Sequence, residues 1–298
     1  MLAIARNLAK NASAAIGLRS LLRSGAYGMD GDLDAVLDVL DRLAPVLDEA
    51  GVRAEGLRVV EVGPGRTPEL LGAFVLAGAA SGVGLDTRLQ LTAAAREPAR
   101  YEPLAAALAG DRAGAFLAAV GATPDGVRSR AEALRDGRWP VEFRRTPGAT
   151  IPVPDASVDL LFSKSVLEHV TAGAVRGLVG ETYRVLRPGG AAVHMIDLRD
   201  HQWIDGDARV TGDWLEALRY SPRAYRLQFS HRSTYVNRLR EPDWRREFER
   251  AGFGVAGWHA TRYPLAPGFD ASRLQAPWRD LPRETLAVGF LTVALQRS

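Results

Sequence analysis

The stretch Val59-Val60-Glu61-Val62-Gly63-Pro64-Gly65-Arg66-Thr67-Pro68-Glu69 decides the fold of this 298-residue chain. A short β-branched strand runs into a turn with two glycines, whose missing Cβ atoms let the backbone approach a ligand, and a helix opens directly afterwards. Residues 82–86 (Gly-Val-Gly-Leu-Asp86) read as the next apolar strand and end on a carboxylate 21 positions beyond Gly65. A doubly wound sheet offers an acid there to the two hydroxyls of a ribose. A dinucleotide fingerprint would need a third glycine at position 68, for close helix–strand packing beside a pyrophosphate, and Pro68 stands there. The pattern therefore predicts a ligand with a ribose and no pyrophosphate.

Outward from this stretch, strand and helix alternate. Strands are expected at Leu57–Val62, Gly82–Asp86, Val141–Arg145, Val158–Phe162, Ala191–Leu198, Gly254–Arg262 and Leu286–Gln296. Residues 87–139 exceed a single crossover and should hold two or three helices, with breaks near Gly110 and at Thr123-Pro124-Asp125-Gly126. A second long insertion, about 199–240, precedes a helix at Pro242–Ala251. Upstream, Leu33, Val36, Leu37, Leu40, Leu43 and Leu47 recur at helical spacing, so that helix must bury one face, most simply on the sheet domain. The expected organisation is a helical cap over 1–55 and an α/β domain over 56–298 with a lid at about 199–240.

These residues resemble the class I S-adenosylmethionine-dependent methyltransferases. Glu61, Gly63 and Gly65 match the family's E-x-G-x-G motif, and Asp86 its ribose-binding acid. Residues 152–170, Pro-Val-Pro-Asp-Ala-Ser-Val-Asp-Leu-Leu-Phe-Ser-Lys-Ser-Val-Leu-Glu-His-Val, look like its fourth strand and following helix, and Val185-Leu186-Arg187-Pro188-Gly189-Gly190 like its turn into strand five. The resemblance implies a seven-stranded, mostly parallel sheet with an antiparallel last strand, and S-adenosylmethionine held by Glu61, Gly63, Pro64, Gly65, Asp86, Thr87 and Ser163. One departure stands out: where the family carries an acid near the adenine amine, this chain has Thr146-Pro147-Gly148, so adenine contacts would come from backbone groups.

With 47% apolar and 24% charged residues the chain has the make-up of a soluble globular protein, and its longest apolar runs are too short to span a bilayer. The lack of cysteine excludes disulfides and cysteine nucleophiles and permits the cytoplasm, the expected location. The first 23 residues mix arginines with apolar residues as a targeting peptide does, but a cap helix is the preferred reading. Charge is uneven. From Arg219 to Arg240 six arginines (Arg219, Arg223, Arg226, Arg232, Arg238, Arg240) alternate with aromatic residues and no carboxylate intervenes, whereas residues 30–49 are acidic. Two readings stay open: the acidic helix docks on the basic stretch, or some arginines grip an anionic acceptor, since a guanidinium fork fits carboxylate or phosphate. A nucleic-acid partner is not expected at a net charge of +3.

The resemblance implies an acceptor bound beyond strands four and five, and transfer from a sulfonium is mainly a matter of alignment, with a base added where the nucleophile must lose a proton. His201 is the first choice for that base, oriented by Asp197 or Asp200, and His169 is the alternative; His194, inside strand five, reads as a core histidine. Trp203, Tyr225, Arg226, Arg232 and Tyr235 are expected around a small-molecule acceptor, with Trp214 and Tyr263 as further aromatic candidates. Glu168, His169, His194, Asp197 and His201 have the composition of a metal site, but no metal ligands are assigned. The expected activity is O- or N-methylation in bacterial secondary metabolism. The rivals are a cofactor-binding enzyme of diverted chemistry and a non-catalytic partner subunit.

Overall fold

A computed structural model describes residues 32–88, 91, 93–137, 139–201, 213–229 and 235–298. Its seven strands are β1 (Arg58–Val62), β2 (Ser81–Asp86), β3 (Val141–Arg145), β4 (Val158–Lys164), β5 (Leu186–Asp197), β6 (Phe253–Arg262) and β7 (Val288–Arg297), in the spatial order β3-β2-β1-β4-β5-β7-β6. The first five pair in parallel, and β7 inserts antiparallel between β5 and β6. Strand order reverses between β1 and β4, and in open α/β sheets ligands bind at the carboxyl ends of the strands flanking such a reversal.

Period-two alternation divides the core into two layers. On one face Val59 of β1 and Leu160 and Phe162 of β4 join α1 (Leu33–Glu49), α2 (Glu69–Leu76), α3 (Glu102–Leu108) and α4 (Gly114–Val120). On the other, Val60 and Leu161 pack with α6 (Ala172–Val185) and with Trp244 and Phe248 of α8 (Glu241–Arg250). The described residues between 87 and 139 hold the helices α3, α4 and α5 (Pro124–Arg135). The Thr123–Gly126 break is the start of α5: the Thr123 hydroxyl accepts the Gly126 N–H and Pro124 takes the first turn, where no N–H is needed.

Helix α1 is capped by Asp32, whose side chain accepts the N–H groups of Asp34 and Ala35, and its apolar face packs on α4, β6 and β7. Its carboxylates Asp34, Asp38, Asp48 and Glu49 pair with Arg112, Arg42, Arg53 and His259. None of these partners belongs to the stretch 219–240, so among the described residues the acidic helix does not dock on the basic stretch. It is instead built into the back of the sheet. Among the described residues no helix is long and apolar enough to cross a membrane.

Candidate active site

At the end of β1 the chain turns through Gly63-Pro64-Gly65 with φ of +76° at Gly63 and +60° at Gly65, left-handed values that glycine adopts without strain. The two glycines do different work. A Cβ on Gly63 would lie 2.4 Å from Cγ2 of Val166, so this position is closed by the segment after β4; a Cβ on Gly65 would meet nothing within 4 Å. The Gly63 N–H donates to Leu85 O at 2.7 Å and the Gly65 N–H to Asp86 Oδ2 at 3.1 Å, while Asp86 Oδ1 accepts the Arg88 N–H at 2.7 Å. Asp86 thus ties the end of β2 to the glycine turn and keeps lone pairs for a ligand.

The turn opens on a cleft of about 1160 Å³, and of the residues assigned to the cofactor Glu61, Gly63, Pro64, Gly65, Asp86 and Thr87 line it. Glu61 is buried, its Oε2 has no hydrogen-bond partner among the described residues, and burial with the charges of Glu69 and Asp86 raises its pKa well above the usual carboxylate range. An orphaned buried acceptor on a cleft wall asks for a donor from a ligand. The amino group of S-adenosylmethionine is such a donor, and the open space at Gly65 and the free lone pairs of Asp86 likewise suit that cofactor. Thr146, Gly148 and Ala149 line the cleft's far wall without an acid, and the Thr146 hydroxyl is committed to Thr150 O at 2.6 Å.

Ser163 departs from its expected role. Its neighbours Phe162 and Lys164 point the other way along β4, and Ser163 faces the α6–α8 layer, where its hydroxyl lies 2.9 Å from Nδ1 of His194. His194 is the core histidine anticipated: its ring stacks on Phe248, with 5.7 Å between centroids, and burial lowers its pKa to about 3.

Three groups stand at the end of β4 and just beyond it, Lys164 and His169 on the cleft wall and Glu168 buried beside them. Lys164 lines the cleft half-buried, and its pKa is lowered chiefly by burial, which the charge of Glu168 partly offsets. It was missed by sequence reasoning, yet a signal existed: the chain has 38 basic residues and its lysines are Lys10 and Lys164. Glu168, 1% exposed, has no hydrogen-bond partner for either carboxylate oxygen among the described residues, and burial followed by the charge of Asp197 raises its pKa well above normal. His169 lines the cleft; its Nδ1 lies 2.8 Å from the carbonyl of Tyr235, and burial lowers its pKa. A carbonyl can only accept, so Nδ1 carries the proton and Nε2 the lone pair.

The other two expected catalytic residues sit behind this row. Asp197 accepts from Arg199 three times, from the backbone N–H at 3.0 Å, Nε at 2.9 Å and Nη2 at 2.8 Å. His201 Nε2 lies 3.8 Å from Asp197 Oδ2, and its ring meets that of His169 at 5.0 Å, nearly edge to face. Burial pushes the His201 pKa down to about 4, so the imidazole expected to titrate near neutrality is neutral there, and neither His201 nor Asp197 is on the cleft wall.

Of the expected acceptor contacts, Tyr225, Arg226 and Tyr235 line the cleft, while Trp203 and Arg232 lie outside the described residues. Tyr225 and Arg226 belong to α7 (Pro222–Phe229). Trp214 and Tyr263 contact each other in a small separate core. The basic stretch proves heterogeneous. Arg219 pairs with Asp213. Arg238 donates to Tyr220 O at 2.8 Å, lies over the rings of Tyr225 and Trp278, and lines the cleft. Arg240 is buried and donates to the carbonyls of Leu198, Leu286 and Val288. Arg226 is exposed, faces the cleft and has no ion pair among the described residues. A nearby carboxylate, carbonyls and aromatic rings therefore offset much of a charge that sequence alone assigned to the acidic helix or the acceptor.

Residues 60–194 match the family model described as a methyltransferase domain. The chain is 39% identical over 85 residues to a protein of Mycobacterium ulcerans named "Uncharacterized methyltransferase", covering 27% of this chain and 32% of that protein. It is 46% identical over 54 residues to a Mycolicibacterium smegmatis protein named "Probable S-adenosylmethionine-dependent methyltransferase", covering 18% and 20%. The matched stretch thus spans at most about a third of these relatives. A solved S-adenosylmethionine-dependent methyltransferase from Mesorhizobium loti aligns over 87% of this chain and 100% of its own, at 19% identity and a TM-score of 0.46. Residues 60–194 thus carry a methyltransferase domain on a Rossmann-like sheet, and its cofactor is S-adenosylmethionine.

Proposed function

We propose that the protein transfers the methyl group of S-adenosylmethionine to a small anionic acceptor lodged between the end of β4 and α7. The observation that carries this reading is Arg226, a cation on the cleft wall with no ion pair among the described residues, beside Tyr225, Tyr235 and Arg238. A cleft of about 1160 Å³ is large enough for the cofactor with a compact acceptor next to it. The cofactor supplies an electrophilic methyl on sulfur. With the cofactor bound, an oxygen or nitrogen lone pair of the acceptor would take that methyl as the carbon–sulfur bond broke, and the sulfur would leave as a neutral thioether.

The protein's part is mostly placement. Glu61, Gly65 and Asp86 would hold the cofactor, Tyr225 and Tyr235 flank the acceptor, and Arg226 engages its negative group. The small-molecule acceptor and a role in secondary metabolism belong to this proposal. Its test is transfer of labelled methyl from the cofactor to paired acceptors that differ only in a carboxylate or phosphate. Equal turnover of charged and neutral members would defeat the anionic assignment.

A further inference from the structure

Just beyond β4 the chain makes a one-turn helix, Leu167–His169, and so short a helix ends on carbonyls that need donors from elsewhere. Asn237, 8% exposed and on the cleft wall, supplies them. Its backbone N–H donates to Glu168 O at 2.7 Å, and its Nδ2 donates to Leu167 O at 2.8 Å and to Val170 O at 3.1 Å. We propose that Asn237 is a positioning residue of the acceptor site, fastening the acceptor wall to the turn beside the cofactor. This rests on the reading that the acceptor lies between the end of β4 and α7.

The amide is used at both ends. Oδ1 accepts the Leu239 N–H at 3.1 Å, while the two carbonyls, which can only accept, stand at Nδ2, so the partners fix the orientation of the group. Between Asn237 and Leu239 the chain passes through Arg238 at φ +64°, a left-handed value that a residue with a side chain keeps only where its surroundings impose it. Two connections carry the hold outward. Tyr225 donates its hydroxyl to Val236 O at 2.6 Å and accepts the Val236 N–H at 2.9 Å, which ties α7, and with it Arg226, to the residue next to Asn237. The His169 Nδ1–H donates to Tyr235 O at 2.8 Å. On its other side the turn is preceded by Val166, whose side chain closes the space at Gly63.

Such a fastening matters because methyl transfer depends on the distance and alignment of nucleophile and methyl carbon, and a misplacement of about 1 Å costs about a hundredfold in rate. The two walls come from segments 70 residues apart in the chain, measured from Leu167 to Asn237. Apolar contacts are non-directional and tolerate sliding. Hydrogen bonds from one planar amide to both walls set an angle as well as a distance. Aspartate at this position would bring a carboxylate against two carbonyls, and alanine would leave those carbonyls and the Leu239 N–H without the partner they have now.

The experiment compares full-length wild type, Asn237→Asp and Asn237→Ala by hydrogen exchange read by mass, with S-adenosylhomocysteine bound. Exchange over residues 222–229 and 235–240 should speed up at least about tenfold in both variants, as befits the loss of buried hydrogen bonds, while β1 and β4 keep their wild-type protection. Calorimetric affinity for S-adenosylhomocysteine should stay at the wild-type value. In the labelled-methyl assay with a carboxylate-bearing acceptor, the KM for the acceptor should rise at least about tenfold and that for the cofactor should not move, whereas a smaller folded fraction would lower kcat alone. Melting curves show that each variant is folded; Asn237→Ser, whose hydroxyl still donates once, replaces one that is not. Wild-type exchange over both segments overturns the proposal. So does faster exchange spread evenly into β1 and β4, and so does an unaltered acceptor KM in a loosened variant. A wild type that binds S-adenosylhomocysteine but turns over charged and neutral acceptors alike defeats the anionic reading and leaves the exchange result standing, so the two failures are distinguishable.

Discussion

Asp86 reaches back across 21 residues to accept the Gly65 N–H at 3.1 Å, so the expected ribose acid also holds the glycine turn in shape. Asp86→Ala should therefore weaken S-adenosylhomocysteine binding by about 1.5–3 kcal/mol, the range for charged hydrogen bonds, and Asp86→Asn by less. Calorimetric titration measures both. Undiminished affinity in the alanine variant would remove Asp86 from the cofactor site.

The two turn glycines should fail differently. Gly63→Ala puts a methyl into Val166 and should lower the melting temperature, with partial recovery in the Gly63→Ala/Val166→Ala double variant. Gly65→Ala meets no neighbour and should cost only the left-handed backbone strain, about 1–2 kcal/mol, while obstructing the ligand. Thermal melts with and without cofactor separate the two. Equal melting losses would contradict the assignment of Val166 as the wall behind Gly63.

Arg226 and Arg238 offer a contrast within one stretch. Arg226→Gln should raise the KM for an anionic acceptor, more at low ionic strength, and leave the melting temperature nearly unchanged. Arg238→Gln removes the bond to Tyr220 O and the stacking on Tyr225 and Trp278, and should cost about 1–3 kcal/mol of stability. Stability and KM measured for both variants decide the matter; a destabilised Arg226→Gln protein with unchanged KM would place that arginine in the framework.

His194 gives a pH dependence of defined sign. Its pKa falls from 6.5 to about 3 on burial, so between these values the unfolded chain binds the proton and the folded chain does not. Its contribution is fully present above pH 6.5 and is lost as pH falls through that window, at about 1.4 kcal/mol per unit. The stability of wild type relative to His194→Phe should therefore fall steadily from pH 6.5 to pH 4. A difference independent of pH would mean that His194 titrates alike in the folded and unfolded chains.

The strands could be read from the sequence because β-branched runs bounded by glycine and proline depend on local chemistry, and β3, from Val141 to Arg145, has its expected bounds. Glu61, Gly65 and Asp86 were legible through spacing. Ser163 was not: one residue's shift along a strand moves a side chain to the opposite face, and only the register on β5 fixes that parity. His201 was misjudged because its pKa depends on burial by distant segments. The partners of Arg238 and Arg240 come from Trp278, Leu286 and Val288, about 40 or more residues away in the chain, where charge patterning cannot reach.

The scarcity of lysine turns the cleft into a chemical reporter. Guanidinium groups resist acylation near neutral pH, whereas an amine whose proton affinity is lowered by burial is nucleophilic, and Lys164 is the cleft's lysine in a chain whose other lysine is Lys10. An amine-selective reagent can mark few positions here, and one of them borders the cofactor pocket. The extent of acylation on the peptide containing Lys164, with and without S-adenosylhomocysteine, would read pocket occupancy directly by mass, without knowledge of the acceptor.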